Sequence, residues 1–478
     1  MIDTNDVRRK SVRGVISYAF RTLALQAVGF VATVLLGYYL TPADFGIYFI
    51  VTSAVSLLTF LSDVGLAAAL VQKKDQPTID DLRTTFTVQQ GLAFVIFGLT
   101  IALTPIWRMQ KGISGDGLML LYALGFSFVL ASLKTIPSIL LERKLEFSKL
   151  VFPQIIENVL FYGIAVVLAA QGFGVRSYTY AVLARSIVGV AVIYAIQRWP
   201  IGLALSRNSL HSLLKFGAKF QLNDFLARIK DDLFVVVLAR FLDPTQMGYV
   251  SWAKRWSLFP YQFSVNSIMS VTFPTFSRLQ EHPEKLKRAI EKSLYFITLV
   301  IFPVLVGLSV LALPMTAIIP KYAKWQPAIP SLYFFCMNVA FAAVSSPLTN
   351  TLNAIGKINS TLKLMVMWTI LTWTITPIGV YFFSFTGVAV ASALIAGTSF
   401  ITIQMVKKFV KIEAWDQLWR QGVASAVMAG ILLLGLSYWE RSFVWMFAGG
   451  IIGVLSYGIA LFVVGRKKLL FELGTLRT

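Results

Sequence analysis

The chain has 478 residues, of which 57% are hydrophobic, 14% aromatic and only 14% charged, and its mean hydropathy is +0.72. Soluble proteins carry roughly 45–50% apolar and about 25% charged residues, so this composition excludes a water-soluble globule and indicates a polytopic membrane protein. A formal charge of +21 would suggest nucleic acid in a soluble chain, and two histidines with a single cysteine, Cys336, exclude an internal disulfide and a zinc site of the usual kind.

About 20 consecutive apolar residues cross a bilayer. Taken in chain order, runs of that length cover 14–40, 45–70, 83–106, 117–141, 150–170, 176–197, 213–241, 246–274, 291–317, 327–354, 360–382, 385–406, 420–438 and 442–465. They predict an all-α integral membrane protein with fourteen transmembrane helices. The first run is too long for the h-region of a signal peptide and carries Arg21 inside it. The polar connections near 198–212 and 275–292 are each shorter than 20 residues, so no soluble domain interrupts the series.

The basic residues test this order. With the N-terminus in the cytoplasm, 29 lysines and arginines fall in cytoplasmic segments, from Arg8, Arg9, Lys10 and Arg13 to Arg466, Lys467, Lys468 and Arg477. Six fall on the other side: Arg108, Lys111, Arg176, Lys321, Lys324 and Arg441. Such a bias is what the positive-inside rule demands. It places both termini in the cytoplasm, explains most of the net charge as a topology signal, and leaves no role for nucleic acid.

Two stretches match beyond hydropathy. Leu36-Gly37-Tyr38-Tyr39-Leu40-Thr41-Pro42-Ala43-Asp44-Phe45-Gly46-Ile47-Tyr48 joins runs 1 and 2, and Leu238-Ala239-Arg240-Phe241-Leu242-Asp243-Pro244-Thr245-Gln246-Met247-Gly248-Tyr249 joins runs 7 and 8. Pro42 pairs with Pro244 and Gly46 with Gly248, both 202 residues apart. The shared logic is a tight outer turn, proline stopping one helix and glycine lying near the start of the next. A weaker echo joins 141–198 to 352–408. The reading is duplication of a six-helix unit: an N-lobe at 1–198, a cytoplasmic linker at 199–212, a C-lobe at 213–411, and two further helices with a cytoplasmic tail at 412–478. An even-numbered unit keeps its orientation, so the two pseudo-symmetric lobes form a parallel repeat with a substrate site between them.

Eight cations lie within or near the spans: Arg21, Lys134, Arg185, Arg228, Lys230, Arg240, Lys254 and Arg255. The acids in comparable positions are Asp63, Glu157, Asp224, Asp231 and Asp232. An ionised group at bilayer depth costs a few kcal/mol or more, so it usually faces a protein interior or an aqueous path. In run 7, at 100° per residue, Asp224, Arg228, Asp231 and Asp232 share one face and Lys230 points elsewhere. The alternative is that 207–230 lies in the interface as an amphipathic helix. Arg240 reads as an outer anchor. The candidate cationic cavity is Arg21, Lys134, Arg185, Arg228, Lys254 and Arg255, and the candidate coupling or gating acids are Asp63, Asp224, Asp231 and Asp232. Pro137 lies one turn from Lys134, and Pro260, Pro303, Pro347 and Pro377 interrupt runs 8 to 11, where helices can bend.

No phosphate loop, HExxH or nucleophile elbow occurs. The outer loops are about ten residues or fewer, which argues against a membrane glycan polymerase or ligase working at that face. At Thr41-Pro42-Ala43-Asp44-Phe45-Gly46-Ile47-Tyr48, Ser62-Asp63-Val64-Gly65-Leu66, Ser251-Trp252-Ala253-Lys254-Arg255 and Val271-Thr272-Phe273-Pro274-Thr275-Phe276-Ser277-Arg278, the chain resembles bacterial oligosaccharide flippases. These are the polysaccharide-transporter branch of the multidrug/oligosaccharidyl-lipid/polysaccharide exporter superfamily, nearest to exporters of colanic-acid or exopolysaccharide type. The resemblance covers essentially the whole chain. It implies two six-helix lobes around a V-shaped cavity, alternating access, an inner-membrane location and an undecaprenyl-diphosphate-linked oligosaccharide as substrate. It also implies contact with membrane lipid, with a polysaccharide polymerase and chain-length proteins as candidate partners. No cofactor is implied. Proton or sodium coupling would follow from the drug exporters of the superfamily, but those carry an acid in the first helix where this chain has Arg21. A cation-coupled drug or metabolite antiporter of the same fold is the alternative; its cavity would be acidic, whereas this one counts net basic.

Overall fold

The computed structural model describes residues 25–60, 66–73, 75–108, 113, 115–207, 209–210 and 228–474. Arg21, Asp63 and Asp224 lie outside these residues. Among the described residues the chain forms helices and no strand. In order they are α1 (Leu25–Tyr39), α2 (Pro42–Phe60), α3 (Leu66–Gln72), α4 (Ile79–Ala102), α5 (Thr104–Arg108), α6 (Gly115–Leu133), α7 (Thr135–Arg143), α8 (Phe147–Ala170), α9 (Arg176–Ile196), α10 (Phe234–Leu238), α11 (Pro244–Arg278), α12 (Pro283–Ile318), α13 (Ile329–Ala354), α14 (Ile358–Phe383), α15 (Thr386–Gly397), α16 (Ser399–Lys407), α17 (Ala414–Leu434), α18 (Leu436–Trp439) and α19 (Phe443–Gly474). A short π-helical turn, Ile229–Leu233, leads into α10, and a 3₁₀ turn, Tyr322–Ala328, leads into α13.

Apart from run 7 (213–241), most of which lies outside the described residues, each apolar run coincides over its described part with one of these helices or with two pieces of a broken one. Nine helices among the described residues are long and apolar enough to cross a membrane, and Leu25–Tyr39 and Pro42–Leu58 are shorter apolar ones. The protein is therefore a multi-pass membrane protein. Its outward faces agree: Val444, Val454, Ile459 and Val463 on α19 are exposed, an apolar surface that only a lipid solvent tolerates over such a length.

The chain divides into two compact units, Met1–Gly248 and Tyr249–Thr478. In the first, Leu66, Leu70, Leu82, Phe86, Ile136, Ile139 and Trp199 form one buried cluster. The C-terminus of α3 ends on Arg143, whose guanidinium donates to the carbonyls of Leu70, Val71 and Lys73 at 2.8, 3.1 and 2.7 Å. Those are the carbonyls a helix end leaves without partners, so a cation counted as a topology signal also closes a helix. The connection after α9 runs extended beside α4, with the Ala204 and Ser206 amides donating to the Thr87 and Thr84 hydroxyls at 3.1 and 3.0 Å.

In the second unit, Phe276, Leu286, Ile290, Leu294, Leu348, Leu352, Val406 and Ile412 form the main cluster. A satellite of Ala424, Met428, Leu432, Trp439, Tyr457 and Leu461 binds the C-terminal helices together. Helix α19 bends at Gly465 (φ −133°, ψ 18°).

Two prolines show how breaks are tolerated at bilayer depth. Pro137 has no N–H to give the Leu133 carbonyl, and the helix divides there into α6 and α7. The freed Leu133 oxygen instead accepts from the Tyr194 hydroxyl of α9 at 3.0 Å, and Trp199 Nε1 donates to the same hydroxyl at 3.2 Å. In the second unit Pro303 frees the Leu299 carbonyl, which accepts from the Tyr457 hydroxyl at 3.0 Å. Neighbouring helices thus satisfy the groups the prolines release.

Candidate functional site

The break at Pro137 positions the first charged site. Lys134 sits between α6 and α7, and its ammonium lies 2.6 Å from Glu157 Oε1 on α8. Both side chains are about four-fifths buried, at 20% and 19% exposure. Gly189 on α9 makes room for the carboxylate: a Cβ there would meet Glu157 Oε1 and lie 2.5 Å from Cδ. The sequence places Lys134 and Glu157 at similar depth; the structure makes them one ion pair.

The second site forms at the π-turn. Arg228 donates to the Ser56 carbonyl at 2.9 Å and to Ser56 Oγ at 2.8 Å, and it lies 3.7 Å from Asp232. The Ser56 hydroxyl donates in turn to Asp232 Oδ2 at 2.7 Å. Asp231 instead meets the adjacent Lys230 at 2.6 Å. The π-turn explains why Asp231 is not in the Arg228 group, because a wider turn changes the angular step that the α-helical projection assumes. Ser56 carries no charge and no motif, so nothing in the sequence marks it as the link between the two.

Arg185 is arranged differently. Its guanidinium stands 4.7 Å over the Phe161 ring, and among the described residues no carboxylate pairs with it. Phe161 belongs to an aromatic wall in which Tyr48 and Tyr178 stack at 4.0 Å and Tyr162 meets Phe161 edge-on at 5.1 Å. A cation over an aromatic face keeps its charge available, whereas Lys134 and Arg228 are compensated by Glu157 and Asp232.

Lys254 and Arg255 belong to α11 in the second unit. Both are half-buried, and Lys254 has no ion-pair partner among the described residues. Adjacent helical residues point 100° apart, so the two cannot share one direction. They lie beside a tryptophan cluster: Trp252 stacks on Trp325 at 5.3 Å with 8° between planes, and Trp256 lies 5.6 Å from Trp252. Lys324 approaches Trp325 to 5.9 Å. Among the described residues no group of three or more His, Cys, Asp or Glu could hold a metal ion.

The two matching turns are built alike. At the first, the Asp44 carboxylate accepts from the Thr41 amide and hydroxyl at 2.8 and 2.7 Å, while Thr41 Oγ1 accepts from the Asp44 amide at 3.2 Å. At the second, the Asp243 amide donates to Gln246 Oε1 at 3.1 Å, and the Gln246 amide donates to Asp243 Oδ1 at 2.9 Å. Both are capping boxes, each followed by proline as the first residue of α2 or α11. The proline therefore opens the second helix of each pair, where the sequence suggested that it stops the first. Inside the first unit the copies meet. A Cβ on Gly46 would collide with the Pro244 carbonyl, and a Cβ on Gly248 would collide with the Pro42 carbonyl.

Residues 35–330 match the family described as polysaccharide biosynthesis protein, and the chain belongs to that family. It is 24% identical over 329 residues to the succinoglycan biosynthesis transport protein ExoT of Rhizobium meliloti, covering 69% of this chain and 66% of that protein. It is 24% identical over 376 residues to the lipopolysaccharide biosynthesis protein WzxC of Escherichia coli, covering 76% of this chain and 74% of that one. Among solved structures, the lipid II flippase MurJ in an inward closed conformation matches with a TM-score of 0.79 at 16% identity, over 95% of this chain and 100% of MurJ. An inward-facing multidrug-resistance MATE transporter matches with a TM-score of 0.61 at 17% identity, over 83% and 99%. These likenesses establish a MurJ- and MATE-like fold and a protein of membrane transport in polysaccharide biosynthesis.

Proposed function

We propose that this chain is a flippase that moves undecaprenyl-diphosphate-linked oligosaccharide units from the cytoplasmic to the periplasmic leaflet of the bacterial inner membrane. It works by alternating access of two six-helix lobes with both termini in the cytoplasm, and serves exopolysaccharide, capsule or O-antigen synthesis. The observation that carries the reading, beside family membership, is Arg185: a half-buried guanidinium without a carboxylate partner among the described residues, held over Phe161. A diphosphate is the natural partner of such a group, because guanidinium donors form charge-assisted, bidentate hydrogen bonds to phosphate. Lys254 and Arg255, of the second unit, and Arg21 are further candidate cations for an anionic substrate. Lys134–Glu157 and Arg228–Ser56–Asp232 hold helices at depth, and a proton entering at Asp232 would release Arg228 for the substrate.

No covalent step is involved; the residues compensate charge, exclude lipid and switch between access states. The test is the location of the intermediate. In a deletion strain, a complete lipid-linked repeat unit should accumulate where a periplasmic glycan-modifying probe cannot reach it, and complementation should make it accessible. An incomplete unit, or one already accessible, overturns the reading.

A further inference from the structure

Helix α17 turns an apolar face outward and a polar row inward. Val423, Val427 and Ile431, one turn apart, are exposed. The opposite face carries Gln417, Gln421 and Ser425, also one turn apart, at 3%, 0% and 4% exposure. On that same face Met428 and Leu432 pack with Leu299 and Val306 of α12 and with Tyr457 and Leu461 of α19, so the row lies in a seam among three helices of the second unit. Among the described residues, Gln417 Oε1, Gln421 Oε1 and Nε2, and Ser425 Oγ are buried without a hydrogen-bond partner. Turning the amide over does not help Gln421, because both of its ends lack one. Buried polar groups of this kind are nearly always bonded, to protein or to ordered water.

A second feature lies at the same level. Helix α19 bends at Gly465, where φ is −133° and ψ is 18°, and a Cβ built there would lie 3.1 Å from Cδ of Arg420, the residue before Gln421. Bends of this sort occur where water enters the helical ladder.

We propose that two water molecules are built into this seam, one between Gln417 and Gln421 and one between Gln421 and Ser425. Residues four apart on one helical face hold their Cβ atoms roughly 5–6 Å apart, about two hydrogen bonds of 2.9 Å laid end to end. That spacing matches a single bridging molecule, and no direct bond crosses either gap. Water both donates and accepts, as the two ends of Gln421 require. A hard metal cation would meet only the oxygens and leave Nε2 unpartnered. It also needs about six oxygens around it, whereas this row offers three, spread over about 12 Å of helix. The row carries no charge to hold an anion. Water reaches it from the cytoplasmic end by the positive-inside order, where Asp416, at 37% side-chain exposure, is held by Lys468 at 2.8 Å and Arg420 at 3.0 Å. These waters belong to the second unit whatever substrate the chain carries.

The experiment is thermal unfolding of the purified full-length protein in detergent. Gln421→Met keeps the length of the side chain and removes both polar atoms. In a dry seam it deletes two unpartnered groups and raises the melting temperature. With water in place it strands both molecules and should lower the melting temperature by about 3 °C or more. Ser425→Ala should also lower it, and the double variant should lose less than the sum, because the two side chains share one water. Val423→Met, on the lipid face of the same helix, should shift it little. A Gln421→Met protein that melts at or above the wild-type temperature, or losses that add, overturns the proposal. If Gln421→Met does not fold, the wild type decides. A cryo-EM map of the full chain that resolves ordered water should show density within about 3.2 Å of both ends of the Gln421 amide, and an empty seam in that map overturns the proposal.

Discussion

Replacing Gly46 by alanine puts a methyl group where the structure has no space. The new carbon would collide with the Pro244 carbonyl oxygen and would lie 2.7 Å from its carbon and 2.8 Å from the Gly248 nitrogen. Carbon atoms ordinarily rest about 3.5–4.0 Å apart, so α2 or the first turn of α11 must retreat by about 1 Å. Every obstacle is backbone held by a capping box, so no side chain can swing aside. Overpacking costs typically 1–3 kcal/mol, and the upper end applies here; the better helix propensity of alanine returns about 0.5–1 kcal/mol. A net loss of about 2 kcal/mol is expected, and the same for Gly248→Ala. The two losses should not add, because either methyl already separates the helices that the other would separate. Thermal unfolding of purified protein in detergent tests this, with Gly91→Ala as the control. Gly91 is an exposed helical position with nothing within 4 Å of a built Cβ, so its alanine variant should melt at or above the wild-type temperature. A Gly46→Ala protein as stable as that control, or a double variant whose loss equals the sum of the single losses, refutes the argument.

Four further outcomes follow from the same geometry. Tyr194→Phe should cost about 1–2 kcal/mol by stranding the Leu133 carbonyl, and should cost much less in a Pro137→Ala background, where a backbone amide can return to that oxygen; equal costs in both backgrounds count against it. Glu157→Gln leaves Lys134, about four-fifths buried, without its carboxylate and should cost about 2–3 kcal/mol, below the 3–5 typical of full burial, while the double variant Lys134→Met/Glu157→Leu recovers most of the melting temperature. Arg185→Ala should reduce flipping at least tenfold, since a hydrogen bond to a charged group contributes about 1.5–3 kcal/mol, with a melting temperature near wild type; Arg185→Lys should recover part of the rate. Lys468, aided by Arg420, holds the Asp416 carboxyl below its ordinary value against the opposing effect of burial. Its contribution is present at neutral pH and is lost as pH falls below about 4, so Asp416→Asn should melt below wild type at pH 7, and that difference should close on acidification.

The helices were legible because apolar runs of bilayer length have few other uses, and the repeat because Pro42, Gly46, Pro244 and Gly248 are residue types with narrow backbone roles. What those roles were needed coordinates. The spacing of proline and glycine is the same whether proline closes one helix or opens the next, and only the capping partners Asp44 and Gln246 decide it. Charge depth was also legible: Lys134 and Glu157 both count among the charges within or near the spans. Their pairing was not, since α6, α8 and α9 meet through contacts far apart in sequence and the space depends on Gly189. The π-turn at Ile229–Leu233 defeated a projection that assumed a regular step, which is why Asp231 and Asp232 have different partners. Nothing local marks Tyr194 or Tyr457 as donors to a freed carbonyl; a proline four residues beyond a carbonyl on another helix is a signal that no local pattern contains.

The reciprocal glycine contact has the form of an isologous interface: residue i of one copy touches residue j of the other, and j of the first touches i of the second. Such a pattern is the rule in homodimers, and here it joins two turns of one chain. A half-length protein carrying a single Thr-Pro-Ala-Asp-Phe-Gly turn would possess both surfaces of this contact and could pair with itself through it. In the present chain the two turns are held to each other through this contact: a change at Gly46 is felt at Pro244, and neither turn can drift alone.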